Sequence, residues 1–414
     1  TNKCQFFLIY VNIVCKEFYD NNMENNKLKF LRDKINYLDD QMINLLDQRS
    51  NIVEEIGKLK DQSKGVVDKN REQLILNRLI NLSKGKYTKD SIIRIWREIF
   101  ETSSKLQLNF ESMINTKRSI ENISVYKGGK SEIKGIKNII KLSSNENPFG
   151  PSKKIGSKIS TDNLNRYPEI SGETLRKKLA LIHNINFDQI ILGCGSDETL
   201  LFAALSFCQS GDEIIHAKHS FEMYPIVAKV VGAVSKLVKE VNYKITVRGV
   251  MDEITPATKL IYIANPNNPT GTYLNKNDIR ELMFKIPKNI IVVLDQAYCE
   301  YVDENDYDKN FSLVSEFENI ILTRTFSKAY GLAGIRLGWC YSSLRVSSII
   351  AKVKGPFNIN TFAQNLALIA LDDFDHLEKV VSETKKIKNW FEKELKKLNI
   401  KVNPSFANFS FIES

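Results

Sequence analysis

Histidine is scarce, with four in 414 residues, and the six cysteines (Cys4, Cys15, Cys194, Cys208, Cys299 and Cys340) show no Cys-x-x-Cys spacing. Neither a zinc cluster nor a disulfide framework fits that supply, so no metal is expected and a reducing cytoplasm is the default setting. Also missing is any run approaching the roughly 20 apolar residues that a membrane span requires, which makes a soluble chain the expectation. No repeat of solenoid length occurs, and the richness in lysine, asparagine and isoleucine is a general bias. One sign of charge is only modestly in excess: 59 Lys and Arg against 49 Asp and Glu leave +10, spread thinly along the chain. So diffuse a field suits small anions and offers no nucleic-acid stripe.

What is present is enough for two folded units, since 414 residues with 43% hydrophobic and 26% charged content exceed what one core usually serves. Proline is absent between residues 24 and 147. Within that stretch apolar residues at Leu28, Leu31, Ile35, Leu38, Met42, Leu45, Leu46, Ile52, Val53, Ile56 and Leu59 keep a spacing of three and four, which predicts one long amphipathic helix. Two more helices are expected at about residues 69–83 and 89–108, divided by turns such as Ser83-Lys84-Gly85-Lys86. Two short partners cannot cover so long an apolar stripe, so this all-helical unit, residues 27–108, is expected to pair with a second copy. Ahead of it, Phe6-Phe7-Leu8-Ile9-Tyr10-Val11 precedes the first methionine, Met23, without a basic flank beyond Lys3 or a small-x-small cleavage site. Residues 1–26 are therefore read as a leader outside either domain, with Met23 a candidate start.

A polar linker at residues 109–122 leads into Val125-Tyr126-Lys127-Gly128-Gly129-Lys130, after which proline and glycine punctuation begins. Apolar runs at residues 189–192, 213–216, 260–264, 290–294 and 320–323 then alternate with helical patterns such as 197–207 and 277–284. Runs of that kind predict buried strands of a mostly parallel sheet, hence an α/β domain over residues 123–414.

Five unusual segments stand in order within that domain. They are Ser144-Asn145-Glu146-Asn147-Pro148-Phe149-Gly150-Pro151-Ser152, Arg166-Tyr167-Pro168-Glu169, Gly193-Cys194-Gly195-Ser196-Asp197-Glu198, Asn265-Pro266-Asn267-Asn268-Pro269-Thr270-Gly271, and Ser327-Lys328 through Arg336. Together they resemble the fold-type-I pyridoxal 5'-phosphate (PLP)-dependent aminotransferases of the histidinol-phosphate aminotransferase-like branch. The resemblance implies that Lys328 carries the cofactor as a Schiff base and shuttles a proton. Asp295, ending an apolar run where a buried strand otherwise avoids charge, would keep the pyridine nitrogen protonated. Tyr298 and Asn268 would hydrogen-bond the phenolic oxygen, and Phe221 would either stack on the ring face or serve as plain core. Ser196 and Asp197 at a helix start, with Ser327 and Arg336, resemble the phosphate ligands, and Tyr167 the residue that reaches the partner subunit's phosphate. One departure is marked. The family continues past Pro404-Ser405-Phe406-Ala407-Asn408-Phe409 to an arginine that clamps the substrate carboxylate, whereas this chain stops at Ser414. A C-terminally incomplete copy with weakened substrate positioning is the expectation, and Glu413 falls about where a basic ligand is usual.

The helical unit carries Leu31-Arg32-Asp33-Lys34-Ile35, Gln48-Arg49, Gly57-Lys58-Leu59-Lys60, Asp68, Asn70-Arg71-Glu72, Ser103 and Gln107, an arrangement similar to the all-helical chorismate mutases. Their pericyclic step needs no nucleophile, only cations and an amide that hold a dicarboxylate in a compact conformer. By that resemblance Arg49 and a partner chain's Arg32 would clamp the carboxylates, and Lys60 and Gln107 would face the ether oxygen. Glu72 with Asp68 would hold the ring hydroxyl, and Arg71 and Ser103 are further candidate substrate contacts, as is Tyr126 at the start of the α/β domain. The combined expectation is a homodimeric, bifunctional enzyme of aromatic amino-acid biosynthesis. It would convert chorismate to prephenate and transaminate prephenate or an aromatic 2-oxo acid against an amino acid. The alternative is a histidinol-phosphate aminotransferase with a regulatory or dimerising mutase-like domain.

Overall fold

The computed structural model describes residues 2–59, 68–83, 85–107, 116–121, 123–125, 140–156, 165–309 and 311–413. The chain divides into two compact units, Thr1–Asn115 and Thr116–Ser414.

The first unit is three helices, α1 (Asn2–Leu59), α2 (Lys69–Leu82) and α3 (Lys89–Gln107), with α1 and α2 each packed on α3. Helix α1 extends through the residues read as a leader, consistent with a sequence that offers no proline and no glycine before Gly57. The carboxylate of Asp68 caps α2 by accepting from the Arg71 amide at 2.9 Å, and Thr88 Oγ1 accepts from the Ser91 amide at 3.1 Å to begin α3. Buried apolar residues here include only Val53, Leu76, Ile92 and Phe100 among the described residues. The stripe Leu31, Ile35, Leu38, Met42 and Leu45 stays about half exposed or more.

In the second unit the described residues form short helices α4 (Arg118–Glu121) and α5 (Lys153–Gly156), then α6 (Glu173–His183), β1 (Ile190–Gly193), α7 (Ser196–Phe207), β2 (Glu213–Ala217), α8 (Met223–Val230) and β3 (Val234–Val238). There follow α9 (Val247–Glu253), β4 (Thr258–Ala264), α10 (Lys276–Lys285), β5 (Ile291–Asp295), α11 (Ser312–Glu316), β6 (Ile320–Thr325) and β7 (Gly338–Ser342). Helices α12 (Leu344–Val353), α13 (Thr361–Leu371) and α14 (Phe374–Lys397) lead to a small ribbon, β8 (Lys401–Asn403) with β9 (Phe411–Glu413). The main sheet runs β1-β7-β6-β5-β4-β2-β3, parallel except where β7 lies antiparallel to β1 and β6. Each predicted apolar run is one of its strands. Edge strand β3, where Ser235 and Lys236 interrupt the apolar pattern, and β7, which opens on glycine, were not anticipated.

Alternation along the strands makes two cores, one per face. Ile215, Ile261, Ile263, Val292, Leu294, Ile320 and Leu322 pack on one side with α6, α10 and α13. Ile214, Leu260, Tyr262, Ile291, Val293 and Ile321 pack on the other with α7, α8 and α12. Sandwiched in this way, the sheet is buried on both faces, and its parallel strands all end at one edge. There the loops after β1, β4, β5 and β6 form a crevice.

Candidate active site

Asp295 is the last residue of β5 and is 5% exposed. Its Oδ2 accepts from the Tyr224 hydroxyl at 2.9 Å, and its Oδ1 from Thr323 Oγ1 at 3.2 Å and the Ala297 amide at 3.1 Å. Burial pushes the carboxyl up to about 6 against those three donors, so a cation placed beside it would be strongly held. The next turn carries Tyr298, whose oxygen accepts from Asn145 Nδ2 at 3.1 Å. Asn268 stands on the loop after β4, where Asn265 fixes the backbone by pairing both ways with Leu274, at 3.1 and 2.7 Å.

Lys328 follows the end of β6 in a tight turn closed by the Gly331 amide donating to Lys328 O at 3.0 Å. Its Nζ donates to Ser144 O at 2.9 Å and lies 5.6 Å from the centre of the Tyr298 ring. Burial lowers the amine below the usual lysine range, partly offset by Asp197 and Glu146. The shift is in the direction of the nucleophilic, unprotonated form.

An anion cradle stands at the start of α7. Gly195 takes a positive φ of 84°, and a Cβ there would lie 2.5 Å from Arg336 Nη2, so only glycine admits the guanidinium so close. Arg336 Nη2 donates to Asp197 Oδ2 at 3.2 Å, and its Nη1 to Ser327 Oγ at 3.4 Å. The helix amides beyond Gly195, Ser327 and Arg336 together suit a phosphate dianion.

One cavity of about 770 Å³ collects Ser196, Asp197, Phe221, Asn268, Asp295, Tyr298, Ser327, Lys328 and Arg336. Among the walls that the sequence left unassigned are Asn145, Glu146 and Tyr224. The first two lie in the quoted Ser144–Ser152 segment, and Tyr224 is three residues past Phe221, one helical turn away. Tyr167 does not line this cavity. It is 82% exposed and stacks on Phe357 at 4.6 Å.

In the first unit, Arg49 Nη1 donates to Ser103 Oγ, bringing two of the expected residues together across α1 and α3, with the guanidinium 5.9 Å from the Phe100 ring. Desolvation lowers the Arg49 guanidinium from its ordinary value. Arg32 and Arg71 are exposed, Glu72 is half-buried, and Asp68 is engaged as the α2 cap. Gln107 ends α3 with its side chain outside the described residues, as are Lys60 and Tyr126.

A lysine of lowered basicity and a buried carboxylate in one cavity, at the carboxyl edge of a doubly wound sheet beside an anion cradle, fit the class of α/β enzymes that work with PLP. Comparison with known proteins narrows that class. A family model described as aminotransferase class I and II matches residues 137–413, and one described as chorismate mutase type II matches residues 31–108. The chain belongs to the class I and II aminotransferases, a PLP-dependent family, and carries a chorismate mutase domain ahead of that part. The histidinol-phosphate aminotransferases of Nitrobacter winogradskyi and Roseobacter denitrificans are 39% identical over 296 and 298 residues, covering 71% and 72% of this chain and 81% and 82% of their own. Among solved structures, the histidinol-phosphate aminotransferase of Clostridium acetobutylicum superimposes with a TM-score of 0.60 at 25% identity, over 65% of this chain and 81% of that one. That of Sinorhizobium meliloti, in complex with pyridoxal-5'-phosphate, shares the fold with a TM-score of 0.62 at 24% identity, over 65% of this chain and 74% of that one.

Proposed function

We propose that the chain couples two consecutive activities, rearranging chorismate to prephenate in the helical unit and transaminating prephenate or an aromatic 2-oxo acid in the α/β unit. The observation that carries this reading is the conjunction, in one polypeptide, of a chorismate mutase domain with a cavity whose residues fit PLP. The fit is chemical as well as steric: a buried carboxylate for the ring nitrogen, a lysine of lowered basicity, and a phosphate cradle that a Cβ at Gly195 would block. PLP, when bound, supplies an electron sink for the bond broken at the amino-bearing carbon.

Around it this chain's residues have separate tasks. Asp295 holds the ring nitrogen's proton, Tyr298 and Asn268 orient the ring through its phenolic oxygen, and Phe221 covers a face. Ser196, Ser327 and Arg336 bind the phosphate, with Asp197 steadying Arg336. Lys328 Nζ would take and return the proton at the amino-bearing carbon of the substrate. In the helical unit Arg49, aligned by Ser103, binds a carboxylate of chorismate. The half-exposed α1 stripe and the outward Tyr167 support a homodimer, in which Arg32 and Tyr167 serve the partner's sites. The free thiols of Cys194, Cys208, Cys299 and Cys340 suit a reducing compartment such as the cytoplasm.

A second reading, histidinol-phosphate transamination, is favoured by the 39% identity to enzymes of that name. An acceptor panel with glutamate as donor separates the two. Prephenate, phenylpyruvate or hydroxyphenylpyruvate should be aminated faster than the histidinol-phosphate pair turns over, and chorismate should be consumed by the same protein. Turnover of the histidinol-phosphate pair alone would replace the first reading with the second.

A further inference from the structure

Asp295 sits in a place that opposes its own charge. It is almost fully buried, and the charge of Asp197 adds to the desolvation that favours its protonated form. Thr323 Oγ1 and the Ala297 amide both donate to Oδ1. The other oxygen, Oδ2, is met by Tyr224 at 2.9 Å.

Tyr224 is built for that contact. It is 0% exposed, its ring lies flat on Tyr262 with centroids 4.7 Å apart and planes 7° apart, and Phe221 meets it edge-on at 5.9 Å. Tyr262 is fixed in turn by donating to Leu200 O at 2.7 Å. The hydroxyl of Tyr224 therefore has a set direction. Burial and the neighbouring Asp295 charge also hold the Tyr224 hydroxyl well above its ordinary range, so it stays a donor and does not compete for the negative charge.

We propose that Tyr224 is the positioning residue that keeps Asp295 an anion aimed into the cavity, through a hydroxyl directed at Oδ2 by the Tyr262 stack. This rests on the reading that Asp295 is the partner of the cofactor's ring nitrogen. Helix α8 thereby shares in recognising a group bound at the end of β5. Other ionisable neighbours are Asp197 on α7, Lys328 after β6 and Tyr298 after β5.

The test is the binding of PLP to the cofactor-free full-length chain, followed by quenching of intrinsic fluorescence across pH. The parent should show an acid limb from Asp295 together with whatever limb Lys328 contributes. Asp295→Asn should abolish the first limb and leave the second. Tyr224→Phe, which preserves the ring stack, should move the Asp295 limb upward by about one pH unit, as loss of one hydrogen bond to a charged group implies. Tyr262→Phe, which keeps the Tyr224 donor and the ring stack, should move the limb by clearly less than Tyr224→Phe does. An unchanged limb in Tyr224→Phe overturns the proposal, as does an equal displacement in Tyr262→Phe, which would mark a general loosening of the core. A parent-like profile in Asp295→Asn would instead remove the reading of Asp295 itself. Should Tyr224→Phe fail to fold, fluorotyrosine placed at position 224 supplies a stronger donor and should move the limb downward, and no movement there also overturns the proposal.

Discussion

Lys328 and Asp295 illustrate how burial tunes opposite charges toward one chemistry. Desolvation lowers the amine and raises the carboxyl, so both stand nearer neutrality than they would in water. Lys328→Ala should reduce transamination on the order of a hundredfold to ten-thousandfold, the usual worth of a positioned acid–base group. Borohydride reduction and peptide mapping should then find labelled cofactor at position 328 in the parent and none there in the variant, with chorismate turnover unchanged in both. Asp295 has the opposite consequence for stability. A carboxyl whose folded value is raised adds stability below its unfolded value and loses it as pH rises through about 6. Moving from the ordinary aspartate range to about 6 corresponds to about 3 kcal/mol. Asp295→Asn should thus raise the melting temperature of the cofactor-free protein near neutral pH, and the gain should vanish toward pH 4. Melting curves across that window check the sign.

Between elements, the site depends on how closely β7 approaches the start of α7. A Cβ on Gly338 would lie 2.3 Å from the Ser196 amide nitrogen, and no flexible side-chain end is available there to move aside. Gly338→Ala should cost about 1–3 kcal/mol of stability, typical of overpacking. Because the strain falls on the amides of the anion cradle, affinity for PLP should fall with it. Equal denaturant midpoints for parent and variant would contradict this packing account. The cradle's helix was legible beforehand from Gly193-Cys194-Gly195-Ser196, and Lys328 from its motif. Tyr224 and Asn145 were not legible as site residues, because their contacts to Asp295 and Tyr298 join residues 71 and 153 positions apart.

On the scale of the whole molecule, the helical unit buries little, and its long helix shows an apolar stripe to solvent. If a second copy covers that stripe and supplies Arg32, Leu38→Lys combined with Leu45→Lys should lower chorismate consumption on the order of a hundredfold, since misplacing a clamping cation forfeits orientation. PLP loading should be retained. Undiminished chorismate turnover in the double variant would sink the shared-site reading. The sequence by itself determined the two-unit organisation, the long helix and the five buried runs of the parallel sheet. It also marked the lysine, carboxylate and arginine that share the cavity. Each of those follows from periodicity, chain punctuation or a local motif, which are short-range properties. The tertiary structure alone decided that β7 turns antiparallel between β1 and β6, that Asn145 reaches Tyr298, and that Tyr224 donates to Asp295. Those contacts come from packing between segments far apart in the chain, where side-chain direction is set by three-dimensional neighbours and leaves no local signature in the order of residues.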